Sequence, residues 1–319
     1  MTGKQRQNTA ASVRDRLLRL AKQRGDDFQL VLTRYGLERF LYRLSQSEYR
    51  DLFVLKGAML FALWSPKAYR PTRDVDFLGF GDSDEAALRE TFRSLCDVSV
   101  EDDGLLFLAD SVRVETIRDA MEYGGIRVTL LGDLSGARIP IQADIGFGDA
   151  VTPEPEQIEY PTLLEYSAPC LRAYPRETVV AKKFEALVSL GIANSRMKDF
   201  YDLSMMANQF EFDWGTLSEA IRNTFARRRT PLPTDTPSGL NSTFYSDRQK
   251  NLQWSAFLGK GVQLSTSKPP SLEEVCQLIK IFLMPPAQNQ GHNETYTRLW
   301  QPGGPWKIRE AQEQKIRGR

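Results

Sequence analysis

Histidine is nearly absent from this chain: His292 is the only one in 319 residues. A Ser-His-Asp triad or a multi-histidine zinc centre is therefore nearly excluded, since both rest on imidazole groups. His292 itself lies in a polar stretch after Gln288-Asn289-Gln290-Gly291 and suggests no role. Cysteine is scarce too. Cys96, Cys170 and Cys276 are odd in number, far apart and without metal-ligand spacing, which argues against a disulfide framework and for a reducing compartment. No apolar run approaches the roughly 20 residues that span a bilayer, and residues 1–11 lack the apolar core of a secretory signal. The expectation is a cytoplasmic protein with no membrane partner. Charge of one sign is missing as well: 42 Lys and Arg face 41 Asp and Glu, a formal net charge of +1. Such a chain has no global field for nucleic acid, so binding of that kind would use local patches.

What is present is an ordinary soluble composition, 41% hydrophobic and 26% charged, on a chain long enough for two modest domains. Apolar residues at helical spacing predict helices over 11–24 (Val13, Leu17, Leu18) and 28–45 (Leu30, Leu32, Leu37, Phe40, Leu41), separated by Gly25-Asp26-Asp27. A short helix should run from Gly57 to about Leu63, ended by Pro66. The turn Gly81-Asp82-Ser83-Asp84 has the flavour of a calcium loop but lacks an EF-hand's further ligands and terminal glutamate. It reads as the cap of a helix over 85–95. Four strands are expected at 105–108, 112–117, 126–131 and 138–145. Pro140 must then stand near a strand start or on an edge, because it cannot donate to a ladder. Pro153, Pro155, Pro161, Pro169 and Pro175 mark a connector, and helical patterns follow, including 247–258 and 272–282. The expected division is a domain of residues 1–160 and a mainly helical domain of residues 161–319.

The chemistry-bearing stretch is Lys56-Gly57-Ala58-Met59 followed by Arg70-Pro71-Thr72-Arg73-Asp74-Val75-Asp76-Phe77. It reads as a small-residue turn opening a helix, then a strand. Alternate residues of a strand share a face, so Asp74 and Asp76 would stand side by side. A divalent cation neutralises such a pair, and Mg²⁺ typically takes one or two carboxylates together with substrate phosphates. Asp-x-Asp alone more often marks a turn or a solvated edge. The glycine turn changes its weight, because backbone N–H groups at a helix start can approach a phosphate. Asp144, a single carboxylate emerging from the apolar run at the end of the fourth strand, is a candidate third acid, as metal ligand or as base. Lys182 and Lys183 lie a third of a turn apart, so at most one faces a given site; a solvated basic face is the plainer account. Asp199 and Asp202 share a helix face, and pairing with Arg196 or Lys198 explains them equally.

Taken together, Lys56-Gly57-Ala58, the 70–77 stretch, Ala181-Lys182-Lys183-Phe184-Glu185-Ala186-Leu187 and Lys198-Asp199-Phe200-Tyr201-Asp202-Leu203 resemble the AbiEii/AbiGii group of nucleotidyltransferase-like toxins over about residues 50–205. The Trp254 region and Trp300-Gln301-Pro302-Gly303 add to the likeness. The resemblance implies an α+β fold: a polymerase-β-like nucleotidyltransferase core with a mixed sheet, plus a helical C-terminal domain. It implies a toxin of a toxin–antitoxin pair, with a cognate antitoxin encoded alongside. It assigns metal binding to Asp74 and Asp76 and places Gly57, beside Lys56, in the nucleotide-binding turn. Lys183 matches the lysine on the nucleotide phosphates, with Lys182 the register alternative, and Asp199 matches the acid of the last motif, beside Asp202. Thr72, next to Arg73, holds the hydroxyl position that some relatives have phosphorylated by their antitoxin. One departure is Gly57-Ala58 where the family often has Gly-Gly, which would narrow phosphate approach if that position needs a positive φ.

The leading expectation is an enzyme, a Mg²⁺-dependent (or Mn²⁺-dependent) nucleotidyltransferase that moves a nucleoside monophosphate from an NTP to an acceptor. The acceptor implied by the resemblance is the 3′ end of tRNA, with translation and growth blocked. Arg222, Arg227, Arg228, Arg229 and the tail residues Lys307, Arg309, Lys315, Arg317 and Arg319 could supply local positive charge. The alternatives are a protein or small-molecule acceptor, for which the same acids would serve, and a catalytically silent nucleotide-binding protein.

Overall fold

The structure, a computed structural model, describes residues 3–64, 72–81, 83–117, 125–259, 269–289 and 298–308. Pro66, Arg70, Pro71, Asp82, His292, Arg309, Lys315, Arg317 and Arg319 lie outside them. The chain forms two compact units, Met1–Asp149 with Pro155–Tyr174, and Ala150–Glu154 with Pro175–Arg319. The proline-rich connector is thus shared: 155–174 packs with the first unit and 150–154 with the second.

In the first unit, α1 (Gly3–Arg24) and α2 (Phe28–Ser45) precede β1 (Phe53–Lys56), a 3-10 turn over Gly57–Met59, and the one-turn α3 (Leu60–Trp64). Then come β2 (Val75–Gly79), α4 (Glu85–Cys96), β3 (Leu106–Ile117), β4 (Gly125–Leu134), β5 (Ala137–Phe147), β6 (Glu156–Glu159) and β7 (Cys170–Ala173). The strands make one mixed seven-stranded sheet in the order β3-β4-β5-β2-β1-β7-β6. Short side chains set the helix starts. Asp27 caps α2 by accepting from Leu30 N at 2.9 Å, and Asp84 caps α4 by accepting from Ala87 N at 2.9 Å. The two strands expected at 105–108 and 112–117 are one, β3, with an irregular register between Leu108 and Arg113. There the Ser111 hydroxyl donates to Leu108 O and accepts from Leu131 N, which satisfies groups the slipped ladder leaves over. Pro140 pairs with Leu131 on the β4 side, while β2 joins β5 only from Ala143 onward. Pro140 therefore stands on a local edge, as its missing N–H requires.

Helix α2 covers one sheet face, and Gly36 lets it lie close: a Cβ there would be 2.8 Å from Ile139 and 2.9 Å from Ile141. Phe40, Phe53, Phe77, Phe92 and Phe107 form the aromatic centre of this layer, with ring centroids 5.5–6.0 Å apart. Arg39 and Arg43 of α2 bind the buried Asp103 at 2.9 and 2.7 Å. Burial alone would push that carboxyl's pKa up, and the two guanidiniums hold it below the usual range.

The second unit contains α5 (Arg176–Leu190), α6 (Met197–Gln209), β8 (Phe212–Asp213), α7 (Trp214–Arg227), α8 (Ser242–Tyr245), α9 (Arg248–Leu258), α10 (Leu272–Ala287), β9 (Arg298–Trp300) and β10 (Trp306–Ile308). Helix α9 starts at Asp247, which accepts from Lys250 N, and α10 at the Ser271–Glu274 capping box. The small sheet, ordered β10-β9-β8, is fixed by indoles: Trp300 donates to Ala207 O at 2.7 Å and Trp306 to Phe282 O at 2.9 Å.

Candidate active site

Register across the large sheet explains why charged residues meet in the first unit. Lys56 of β1 pairs with Asp76 of β2, Asp76 with Asp144 of β5, Asp144 with Arg127 of β4, and Arg127 with Glu115 of β3. Directly paired residues project to the same face, so these five form one transverse row. Their neighbours Leu55, Phe77, Ala143, Ile145 and Val128 point the other way and are buried. The chain has placed its charges on the sheet face opposite α2.

Asp76 and Gly57 are fitted to each other. Gly57 has φ +76°, and a Cβ on it would lie 2.0 Å from Asp76 Oδ2 and 2.7 Å from its Cγ. Only a residue with no side chain leaves the carboxylate that space. Ala58 takes helical backbone in the same turn, so its methyl group brings no strain of this kind. Asp74 stands just ahead of β2 rather than within it. Its Oδ1 accepts from the Thr72 hydroxyl at 2.5 Å, so Thr72 orients the first acid while the strand orients the second. Arg73, between them, is exposed.

Like charges directly opposite on a sheet repel, and the row offsets Asp76 and Asp144 with a cation on either flank. Arg127 donates from Nε and Nη2 to the two oxygens of Asp144, each at 2.8 Å. The expected third acid therefore has a partner already. Lys56, on the other flank, lies 3.2 Å from Asp149 Oδ2, which also accepts from the Tyr174 hydroxyl at 2.9 Å. Arg127, Asp149 and Tyr174 were not legible as site residues from motif alone. For Arg127 the signal existed: one charge in the apolar alternation Ile126, Val128, Leu130, the same irregularity that singles out Asp144.

The implied divalent cation can be tested against these donors. Among the described residues no three His, Cys, Asp or Glu side chains gather as a metal cage. Asp74 and Asp76 are two half-buried carboxylates two positions apart. That oxygen set suits Mg²⁺, which keeps waters and completes its shell on substrate phosphates. The residues fit such an ion.

The second unit holds the other expected residues. Lys183 of α5 puts its ammonium 2.7 Å from Asp199 Oδ1 and 2.8 Å from Asp202 Oδ2, both carboxylates fully buried on α6. Arg196 adds a contact to Asp199 at 2.7 Å. Burial would raise the Asp199 pKa, and Lys183 with Arg196 lowers it below the ordinary range. Of the two adjacent lysines, Lys183 is the one tied to both acids, and Lys182 is half-buried beside it. In the expected basic cluster, Arg228 is committed to the buried Glu185 at 2.7 Å, whereas Arg222, Arg227 and Arg229 are exposed.

Residues 39–278 match the family model described as "Nucleotidyl transferase AbiEii toxin, Type IV TA system". The chain belongs to the AbiEii nucleotidyltransferase toxin family. It is a nucleotidyltransferase toxin of a toxin–antitoxin system; the Type IV description implies a cognate antitoxin, and the nucleotidyltransferase family implies an NTP substrate. Both constellations, from Lys56 to Asp144 and from Lys182 to Asp202, fall within the AbiEii match. In structure the chain is similar to MenT4, a nucleotidyltransferase toxin from Mycobacterium tuberculosis H37Rv, with TM-score 0.52 and 15% identity over 88% of this chain and 91% of that one. JHP933 from Helicobacter pylori matches with TM-score 0.40 and 16% identity over 78% of this chain and 87% of that one. At such identities the MenT4 likeness is one of fold, and it agrees with the α+β architecture of a mixed sheet plus helices. A comparison with curated protein sequences found no match. Among the described residues no helix is long and apolar enough to cross a membrane.

Proposed function

We propose that this AbiEii enzyme works with Mg²⁺, or Mn²⁺ in its place, and transfers a nucleoside monophosphate from an NTP to the 3′ end of tRNA, releasing pyrophosphate and stopping translation. The observation that carries the metal-dependent part is the lodging of Asp76 against side-chain-free Gly57 with Asp74 beside it. Such a half-buried carboxylate, for which the turn gives up its side chain, would serve a ligand rather than fill a core. Asp74 and Asp76 would hold the ion, and Thr72 would keep Asp74 turned for it. The bound cation would neutralise phosphate charge, the main demand of nucleotidyl transfer. Lys183, held by Asp199 and Asp202, would be a phosphate-contacting residue on the ground of its family motif alone. Arg222, Arg227 and Arg229 provide exposed positive charge suited to a polyanionic acceptor.

The test incubates the pure protein with each labelled NTP, Mg²⁺ and total RNA. Label should enter RNA of tRNA size, at its 3′ end, and be lost with Asp74→Ala. Label appearing on protein or on a small molecule instead would defeat the tRNA assignment. Growth arrest that persists unchanged in cells expressing Asp74→Ala would show that metal-dependent transfer is not the source of toxicity.

A further inference from the structure

The Arg127–Asp144 pair sits in the row that holds Asp76, and metal binding by Asp74 and Asp76 leaves the arginine without a task. Three observations bear on it. The pair is bidentate, using Nε and Nη2 of Arg127, so among the described residues Nη1 makes no hydrogen bond and the outer edge of the guanidinium is available. Arg127 is about one-third exposed, so its side chain is open to solvent. Its charged form is favoured first by the Asp144 hydrogen bonds and further by the nearby charges of Glu115 and Asp74. A guanidinium locked by a fork-to-fork pair has already lost its rotamer freedom, and what it still offers is a fixed donor edge matched to phosphate oxygens.

Register sets how far Arg127 stands from the two acids. β5 is the direct neighbour of β2, so the Asp144 column lies one strand spacing, about 5 Å, from the Asp76 column, and the Arg127 column about 10 Å. A triphosphate that meets the ion at Asp74 and Asp76 is long enough to span that distance. Ligation of the same ion by Asp144 would compete with the two Arg127 hydrogen bonds for its carboxylate oxygens and would bring the cation's charge against the guanidinium.

We infer that Arg127 is a phosphate-binding residue for the NTP triphosphate, and that Asp144 is its positioning residue rather than a third metal ligand. The inference rests on the proposed NTP reading of this sheet face.

Direct binding tests it without the metal and without turnover. The full chain is titrated with each of the four NTPs and with inorganic triphosphate in excess chelator, as wild type, Arg127→Ala, Arg127→Lys, Asp144→Asn and Asp74→Ala. Arg127→Ala should weaken triphosphate binding roughly 10- to 100-fold, the range for a lost charge-assisted contact, and weaken the corresponding monophosphates less. Arg127→Lys keeps the charge but not the fork and should fall between. Should Arg127→Ala fail to fold, the lysine variant carries the test alone. Asp144→Asn should lose only a few-fold in affinity, and Asp74→Ala, which removes a negative charge, should not weaken metal-free NTP binding. If either Arg127 variant binds triphosphate as wild type does while losing only thermal stability, the pair is a structural cross-strand bridge and the inference fails. If, in a separate titration with Mn²⁺ and no chelator, Asp144→Asn abolishes Mn²⁺ binding and leaves metal-free NTP binding intact, Asp144 is a metal ligand and the inference fails. Wild type that binds no NTP and no triphosphate overturns the inference together with the reading beneath it, whereas intact wild-type binding with unaffected Arg127 variants overturns the inference alone.

Discussion

Replacing Gly57 by alanine separates two physical effects that the structure combines at one residue. The first is conformational: φ of +76° places an L-residue in the left-handed region at about 1–2 kcal/mol. The second is steric, because the new methyl would lie 2.0 Å from Asp76 Oδ2 and 2.8 Å from Asp76 Cβ, and forced overpacking of this kind typically costs about 1–3 kcal/mol. Against these, alanine narrows the unfolded ensemble by about 0.4–1 kcal/mol. The net loss for Gly57→Ala should be roughly 1–4 kcal/mol. In an Asp76→Gly background the three atoms nearest the methyl, all of the Asp76 side chain, are gone, and chiefly the conformational part survives, about 1 kcal/mol after the unfolded-state offset. The two substitutions should therefore couple by about 1–3 kcal/mol. Native-state hydrogen exchange on peptides covering β1 and β2 reads the free energy of this unit by itself. Equal losses from Gly57→Ala in both backgrounds would show that the carboxylate does not rest against the glycine, and the argument for a ligand-receiving Asp76 would go with it.

Two further substitutions probe buried charge. Glu38 is 2% exposed in its side chain and accepts from Leu163 N at 2.7 Å; burial, only partly opposed by the Leu163 amide and Arg39, raises its pKa from 4.5 to about 7. A folded pKa above the unfolded one means stability that is full below about pH 4.5 and lost as pH rises through about 7, on the order of 3 kcal/mol in all. Glu38→Gln should remove that slope, gaining on wild type in denaturant midpoint between pH 5 and pH 8, and parallel profiles would contradict it. Lys183→Met leaves Asp199 and Asp202 buried beside each other and should cost about 3–5 kcal/mol at pH 7. The penalty should shrink on acidification, because the Asp199 pKa, now held low chiefly by Lys183, rises once the lysine is gone; a loss below about 1 kcal/mol, or one independent of pH, would refute this reading.

Much of the fold was legible because local signals and tertiary packing agree. Gly25-Asp26-Asp27, Ser83-Asp84 and Ser271 with Glu274 mark helix starts by chemistry that acts within one turn. What misled was structure decided at a distance. Helix α10 continues past Pro285 and Pro286 because Leu283, Met284, Pro286 and Ala287 are buried there, so packing outweighs a propensity that would end it. The break inside β3 was expected to separate two strands, and a serine hydroxyl bridging to Leu108 and Leu131 joins them instead.

The site divides along the same line. Asp74 and Asp76 are visible in sequence because two positions along a strand give one face, a rule that needs no partner. Asp144 is visible as a lone acid in an apolar run, but its role is fixed by which residue lies opposite, and register is set by the hydrophobic pattern of both strands together. Shifting β4 by one residue against β5 would turn Ile126 and Val128 from the layer under α2 to the charged face and would carry Arg127 away from Asp144. Burial of those two side chains thus enforces the arginine–carboxylate pairing, although neither touches a charge. Core packing on one side of the sheet and charge placement on the other are in this sense a single constraint. A conservative core substitution at Val128 that preserves register should leave the charged row intact, whereas one that lets the strand slip would dismantle it without altering any residue of the site.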